Sequence, residues 1–212
     1  LILVPKCEEA EQIKTIEKEI TKLKKQYNIK TDIWLMPIIE SAKGVINAYS
    51  IASASPNIVA MAIGLEDYTA DIGVRRTNEA TESFFARTQI VNVCHSLGIQ
   101  PIDSVFSDID DMNALKEAVL KSKTLGFVGM GCIHPRQIEV INQYFAPNDE
   151  EIEKAIKIVN AFYEAKEKGL GVVALGSKMI DAPVVKRALK VIDLAINIGK
   201  LSNNWREEIH EK

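Results

Sequence analysis

Cysteine and histidine are scarce in this sequence of 212 residues, with three of each. Cys7, Cys94 and Cys132 are odd in number and lack Cys-x-x-Cys spacing, which argues against a disulfide framework and a zinc site. We expect Cys94 to lie in the core, and we find no base that would make Cys7 a nucleophile. This cysteine usage favours a reducing compartment and predicts a cytoplasmic protein.

Long apolar runs and strong charge are also missing. No run approaches the roughly 18 apolar residues of a membrane span, and no signal peptide is visible, so we expect no membrane partner. The net charge is −3, and the cluster Lys22–Lys25 lies among glutamates on a predicted helix. A solvated helix face explains this cluster better than a nucleic-acid patch, so we expect no nucleic-acid partner.

Apolar runs and helical patterns alternate along the first two thirds of the chain. The strand-like runs are nearly continuously apolar, which predicts a parallel α/β sheet covered on its faces: LILVP, IWLMPIIE, NIVAMAIG, PIDSVFSD and FVGMGCI. One of the intervening helices is predicted over Glu79 to Leu97. After His134 the pattern predicts helices and one short hairpin-like segment, GLGVVALGSKMID. We therefore divide the chain into residues 1–146 and a helical extension, residues 147–212.

Polar residues follow the carboxyl ends of all five predicted strands, the edge where parallel α/β folds bind ligands. Glu40 and Asp67 follow neighbouring strands, so their carboxylates are expected to converge across the strand spacing of about 5 Å. Oxygen ligands without a nearby thiolate or imidazole favour Mg²⁺ or Mn²⁺. The alternative is that both carboxylates cap helices or pair with arginines, and the pattern alone gives the two interpretations about equal weight.

Arginines lie near the same edge. Arg75 and Arg76 suit a carboxylate-rich or phosphate-bearing ligand, although surface ion pairs with nearby glutamates explain them as well. Arg87 lies within an apolar helix, where a buried ion pair is the favoured interpretation. His134 stands at a strand end, and we favour a structural role there over acid–base chemistry.

Six motifs in this order and spacing resemble the HpcH/HpaI aldolase/citrate lyase family, which includes citryl, malyl-CoA and citramalyl-CoA lyases: MPIIESAKGVINAY, AIGLEDYTADIGVRRT, FFARTQIV, IDSVFSDIDD, GCIHPRQIEVINQYFAPNDEEI and SKMIDAPVVKRA. The resemblance covers nearly the whole chain. It implies a (β/α)8 TIM barrel with C-terminal helices that project to a neighbouring subunit, usually in a homotrimer. Residues 1–146 would then be a partial barrel carrying the catalytic domain.

The resemblance also implies a site and a reaction. Glu40 and Asp67 would bind Mg²⁺, and Asp181 would act with Glu40 in catalysis by transferring a proton at the acetyl carbon. Lys6, Arg75 and Arg76 would bind substrate. The implied reaction is retro-aldol cleavage of a citryl thioester, carried on acyl carrier protein or CoA, to oxaloacetate and an acetyl thioester, with citrate lyase α and γ subunits as partners. Malyl-CoA or citramalyl-CoA cleavage and a non-catalytic scaffold are the alternatives.

Two departures from the family pattern qualify these expectations. The first family strands, including one with a V-R-I-N motif whose arginine grips substrate, have no counterpart here. We therefore expect an N-terminally truncated chain that carries about the last five βα units, binds Mg²⁺ weakly and turns over poorly, because five strands do not close an eight-stranded barrel. Met130 stands where many relatives have lysine, so a role for that lysine does not transfer.

Overall fold

A computed structural model describes residues 1–167, 169–170, 172–176 and 178–206. The chain forms two compact units, Leu1–Phe145 and a second unit that begins at Ala146. This division falls one residue before the boundary predicted from sequence. The catalytic and accessory roles of the two segments stay predictions.

The first unit is built on five parallel strands that neighbour one another in chain order. The strands are β1 (Ile2–Val4), β2 (Leu35–Ile39), β3 (Ala60–Ile63), β4 (Gln100–Asp103) and β5 (Gly129–Met130). A doubly wound sheet reverses its strand order at a switch point. This sheet does not, and an unbroken sequential order is the arrangement of a barrel sector.

Six helices accompany the sheet: α1 (Ala10–Gln26), α2 (Ala42–Ala52), α3 (Leu65–Asp71), α4 (Phe84–Leu97), α5 (Met112–Leu125) and α6 (Arg136–Phe145). Packing follows the chain, since α1 contacts α2, α2 contacts α4, α4 contacts α5 and α5 contacts α6. These five helices, all but α3, therefore form one continuous layer.

The two faces of the sheet are covered differently. Leu35 and Ile39 of β2 and Met61 of β3 are fully buried, as is Ile90 of α4, so this face packs on the helix layer. Alternate strand residues are more open and line a cavity on the other face: Leu3, Met36, Ile38, Ala62 and Ile102. The prediction of a sheet covered on both faces is wrong for the described residues of this unit. Both faces are apolar in sequence, but only one packs on helices here.

Helix α4 begins at Phe84, five residues later than predicted. The preceding loop is closed by Thr77, whose backbone N–H and hydroxyl donate to the Glu82 carboxylate at 3.1 and 2.8 Å. Ala80 adopts a left-handed φ of 59° within this loop, which a continuing helix excludes. The strand predicted as far as Asp108 also ends early, at Asp103.

The second unit contains α7 (Asp149–Glu167), α8 (Ala182–Asn197) and an antiparallel hairpin of β6 (Val173–Leu175) and β7 (Lys178–Ile180). The predicted hairpin segment is therefore confirmed. Val159 and Ile192 are central to the apolar core shared by the two helices. Among the described residues of the whole chain, no helix is long and apolar enough to cross a membrane.

Candidate functional site

Glu40 and Asp67 lie at the carboxyl edge of the sheet, as predicted. Glu40 follows β2 directly, and Asp67 lies in the first turn of α3, just beyond β3. Lys6 contacts both carboxylates. Its backbone N–H donates to Glu40 Oε1 at 2.7 Å, and its Nζ lies 3.7 Å from Asp67 Oδ1. The fold thus brings together three of the residues predicted for the site, and Glu40 and Asp67 line one cavity of about 280 Å³.

Gly64 makes room for the Glu40 carboxylate. A Cβ at this position would lie 2.7 Å from Glu40 Oε2 and 3.0 Å from Glu40 Cβ. Real Cβ atoms do not approach other atoms this closely, so a larger residue would displace the glutamate. Its φ of −106° is open to any residue, so the backbone conformation does not require glycine here. The close approach of Glu40 does.

The donor set at this edge fits Mg²⁺. Carboxylate oxygens are the hard ligands that this ion prefers, and Mg²⁺ is commonly held by one or two protein carboxylates while substrate and water complete its octahedron. The described residues contain no cluster of three or more His, Cys, Asp or Glu side chains suited to a metal. A two-carboxylate site therefore suits Mg²⁺ better than Zn²⁺, which is usually bound by three or four protein ligands.

Arg75 and Arg76 differ sharply in their surroundings, although both line a second cavity of about 500 Å³. Arg76 donates to Glu66 Oε1 at 2.7 Å and to the Val105 carbonyl at 2.6 Å, and its side chain is 18% exposed. These bonds connect the start of α3 to the segment after β4. Arg75 is exposed and makes no hydrogen bond or ion pair with the residues that the structure describes. Of the two, Arg75 has the guanidinium available to an anionic ligand.

Behind the edge, Arg87 and Asp103 form a buried ion pair, the interpretation favoured from sequence. Asp103 also accepts from the backbone N–H of Ser104 at 2.8 Å, and the Ser104 hydroxyl accepts from the Leu65 N–H at 3.0 Å. This chain of contacts joins α4 and β4 to the beginning of α3. The sequence pattern alone does not single out Asp103 or Ser104, although Arg87 inside an apolar helix is a signal that a buried carboxylate lies nearby.

A further contact missed by sequence analysis orients the residues after Glu40. Asp71, at the end of α3, accepts from the backbone N–H of Ala42 at 2.7 Å, and the Ser41 hydroxyl caps α2 by accepting from Gly44 at 3.1 Å. Unpaired N–H groups at a helix start need such acceptors. The segment carrying Glu40 is consequently anchored to the helix carrying Asp67.

Three other residues singled out from the sequence have structural surroundings: two cap helix starts and one is buried. Asp181 is the N-cap of α8 in the second unit, where its Oδ1 accepts from the Val184 N–H at 3.1 Å. Burial raises the pKa of the Cys7 thiol to about 11, which disfavours a nucleophilic thiolate. His134 Nδ1 accepts from the backbone N–H of Arg136 at 3.2 Å, in agreement with a helix-start role.

Comparisons with known proteins place this geometry in context. The family model described as "HpcH/HpaI aldolase/citrate lyase" matches residues 1–135. Citrate lyase subunit beta of Leuconostoc mesenteroides subsp. cremoris is 37% identical over 196 residues, covering 92% of this chain and 65% of that protein. The L-malyl-CoA/beta-methylmalyl-CoA lyase of Rhodobacter capsulatus is 30% identical over 208 residues, covering 90% of this chain and 65% of that protein. Both relatives are carbon–carbon lyases.

A solved structure supports the fold assignment. The protein CitE from Mycobacterium tuberculosis, in complex with magnesium, acetoacetate and coenzyme A, superposes with a TM-score of 0.73 at 28% identity, covering 91% of this chain and 67% of that chain. The predicted α/β class is confirmed, and the five-stranded sheet corresponds to part of a TIM-type barrel. On the match to residues 1–135 and the similarity to these relatives, the chain belongs to the HpcH/HpaI aldolase/citrate lyase family.

Proposed function

We propose that this chain is part of a Mg²⁺-dependent lyase that cleaves a citryl thioester to oxaloacetate and an acetyl thioester. The observation that carries the proposal is the placement of Glu40 and Asp67 on one cavity at the carboxyl edge of a parallel sheet. The chain spans 65% of the length of the L. mesenteroides citrate lyase subunit beta, so the activity is proposed for the whole protein. The free thiols of the three cysteines suit a cytoplasmic enzyme.

Glu40 and Asp67 would hold Mg²⁺ in this proposal. When bound, Mg²⁺ would supply Lewis-acid stabilisation to the oxygen of the citryl hydroxyl as it becomes the oxaloacetate ketone. Lys6 already contacts both carboxylates, so it would have to release Asp67 to let that carboxylate serve as a ligand. Its freed ammonium would then lie beside the anionic substrate.

The remaining residues would position substrate and supply a proton. Cleavage breaks the C–C bond, the hydroxyl loses its proton as the ketone forms, and the enolate left on the thioester gains one proton to become the acetyl group, so no proton is gained or lost overall. We assign this proton transfer to Asp181 of a neighbouring copy in a homotrimer. Arg75, with its exposed guanidinium, is the stronger candidate to bind the carboxylates, whereas Arg76 would act through its contact with Glu66.

The acyl carrier, the partners and the exact substrate belong to the same proposal. Similarity to citrate lyase subunit beta favours citryl-acyl carrier protein or citryl-CoA, with citrate lyase α and γ subunits as partners. Similarity to a malyl-CoA lyase and to the mitochondrial citramalyl-CoA lyase of Homo sapiens keeps malyl-CoA and citramalyl-CoA as alternative substrates. The three reactions release different carbonyl products: oxaloacetate, glyoxylate and pyruvate.

The test supplies the whole protein with Mg²⁺ and each thioester, and identifies the carbonyl product. We expect oxaloacetate from citryl thioester, and release of glyoxylate or pyruvate instead would reassign the substrate. Glu40→Gln should abolish turnover and Mg²⁺ binding, while Glu19→Gln serves as the matched control because Glu19 is exposed on α1 and pairs with Lys22. Mg²⁺ binding and turnover that survive Glu40→Gln would overturn the metal assignment, whereas the absence of turnover of the unmodified protein with every thioester would favour a scaffold.

A further inference from the structure

The turn after β1 holds Lys6 in an unusual backbone conformation. Its φ is 49°, in the left-handed region that residues with a side chain rarely adopt. Such a conformation is strained and persists only where surrounding contacts determine it. Strained residues of this kind cluster at functional sites, and Lys6 is the residue that contacts both proposed metal ligands.

Gln12, in the first turn of α1, supplies the contacts that hold this conformation. Its Oε1 accepts from the backbone N–H groups of Glu8 and Glu9 at 2.7 and 2.9 Å. Its Nε2 donates to the Lys6 carbonyl at 3.1 Å. One amide side chain therefore fixes the start of α1 and the carbonyl of the left-handed residue together.

The Lys6 carbonyl contacts Gln12, whereas the Lys6 backbone N–H contacts Glu40. The Lys6 N–H donates to Glu40 Oε1, while Glu40 Oε2 lies against Gly64. An N–H bond to one carboxylate oxygen fixes the rotamer of the glutamate and leaves the second oxygen for a ligand. Removal of outer contacts of this kind typically weakens metal binding by about 10- to 100-fold.

We propose that Gln12 is a positioning residue that, through the left-handed Lys6 backbone, orients the Glu40 carboxylate for a divalent cation. The inference rests on the proposed metal site at Glu40 and Asp67. Gln12 touches neither the cation nor the substrate. Gln12 acts on the Glu40 carboxylate through the carbonyl and the N–H of Lys6. The backbone of Lys6 transmits this influence, and the side-chain ammonium of Lys6 takes no part in it.

Gln12→Glu is the informative variant. Glutamate keeps the acceptors that cap Glu8 and Glu9, so α1 should keep its start, but it has no donor for the Lys6 carbonyl. We expect the dissociation constant for Mn²⁺, measured by electron paramagnetic resonance, to rise about tenfold. Gln26→Glu makes the same charge change at the far end of α1 and should leave this constant unchanged.

Substitutions of Lys6 separate positioning from general destabilisation. Lys6→Gly and Lys6→Ala both remove the ammonium that pairs with Asp67, but only glycine adopts the left-handed conformation without strain while keeping the N–H to Glu40. Adding Lys6→Gly to Gln12→Glu should therefore recover most of the lost Mn²⁺ affinity, and adding Lys6→Ala should recover less. A helix that had simply lost stability would gain nothing from glycine at position 6, and far-UV circular dichroism monitors that helix directly.

The outcomes are distinct. Unchanged Mn²⁺ affinity in Gln12→Glu overturns the positioning role, as does an equal loss in Gln26→Glu or a failure of glycine to restore affinity. Unchanged Mn²⁺ affinity in Glu40→Gln overturns the proposed metal site itself. A loss in Gln12→Glu that is restored by Lys6→Gly, together with a loss in Glu40→Gln, supports both.

Discussion

Arg87 of α4 and Asp103 of β4 form a two-point ion pair, in which the Arg87 Nε donates to Asp103 Oδ1 at 3.2 Å and Nη2 contacts Oδ2. Their side chains are only 7% and 2% exposed. The Arg87 guanidinium also lies 5.6 Å from the centre of the Phe127 ring. Because Asp103 connects through Ser104 to Leu65, this pair supports the backbone that presents Asp67.

We predict that Asp103→Ala lowers the free energy of unfolding by about 3–5 kcal/mol, because it leaves the Arg87 charge buried without a partner. The double variant Arg87→Met/Asp103→Leu should cost less, since no unpaired charge remains. Urea unfolding measures the free energy of unfolding of the single and the double variant. Arg136→Ala is the control and should change this energy little, because the Arg136–Asp110 ion pair is exposed. A double variant as unstable as the single one would contradict this explanation.

Gly64→Ala should remove divalent-cation binding without unfolding the chain. The added Cβ would lie 2.7 Å from Glu40 Oε2, so the carboxylate must move from the cavity edge. We expect at least a tenfold loss of Mn²⁺ affinity, on the order seen when metal-supporting contacts are removed. Gly98→Ala is the control, because its left-handed φ of 71° costs stability but its Cβ meets no atom within 4 Å. Equal affinities in the two variants would refute the prediction.

Arg75 and Arg76 should respond differently to alanine. Arg76→Ala leaves the Val105 carbonyl and the Glu66 carboxylate without their guanidinium partner, and should lower the free energy of unfolding by about 1–3 kcal/mol. Arg75→Ala should change it by less than about 0.5 kcal/mol, because its side chain is exposed. In the whole protein, Arg75→Ala should raise the KM for the anionic thioester. Equal stabilities, measured by urea unfolding, would show that the Arg76 contacts contribute nothing.

Thiol chemistry should distinguish the three cysteines. Burial raises the pKa of Cys7 to about 11 and that of Cys94 to about 12 from an ordinary value of 9.0, whereas Cys132 is exposed. At pH 8 a disulfide reagent should label one thiol quickly in the native chain and three in urea. Rapid native labelling of more than one thiol would contradict the burial of the other two.

The same thiols predict how stability changes in alkali. Between pH 9 and 11 the unfolded chain loses thiol protons that the folded chain keeps, so the free energy of unfolding falls as pH rises through this window. Below pH 9 the contribution of the two buried thiols to the free energy of unfolding is fully present. Cys94→Ala should show a shallower decline above pH 9 in urea unfolding at a series of pH values. An identical decline would exclude Cys94 as a contributor.

Local sequence patterns predicted the parts of this protein that depend on near neighbours. Apolar runs separated by helical periodicity predicted the parallel strands and the helices between them, and the motif set correctly indicated the family. The late start of α4 was missed because a side chain closes the preceding loop, and Thr77–Glu82 contacts leave no periodic signal. The shortened strands were also missed, because the ends of strands depend on pairing with neighbours.

The sequence by itself determined an α/β chain with carboxylates at the strand ends, since strand and helix periodicity act over a few residues. Only the tertiary structure decided the partners of those carboxylates. Lys6 and Glu40 are 34 residues apart, and Arg76 reaches Val105 across 29, so the parallel register decides which groups meet. That register also brings the left-handed Lys6 beside Glu40, so one hydrogen bond across 34 residues joins the local Gln12 contact in offsetting the backbone strain.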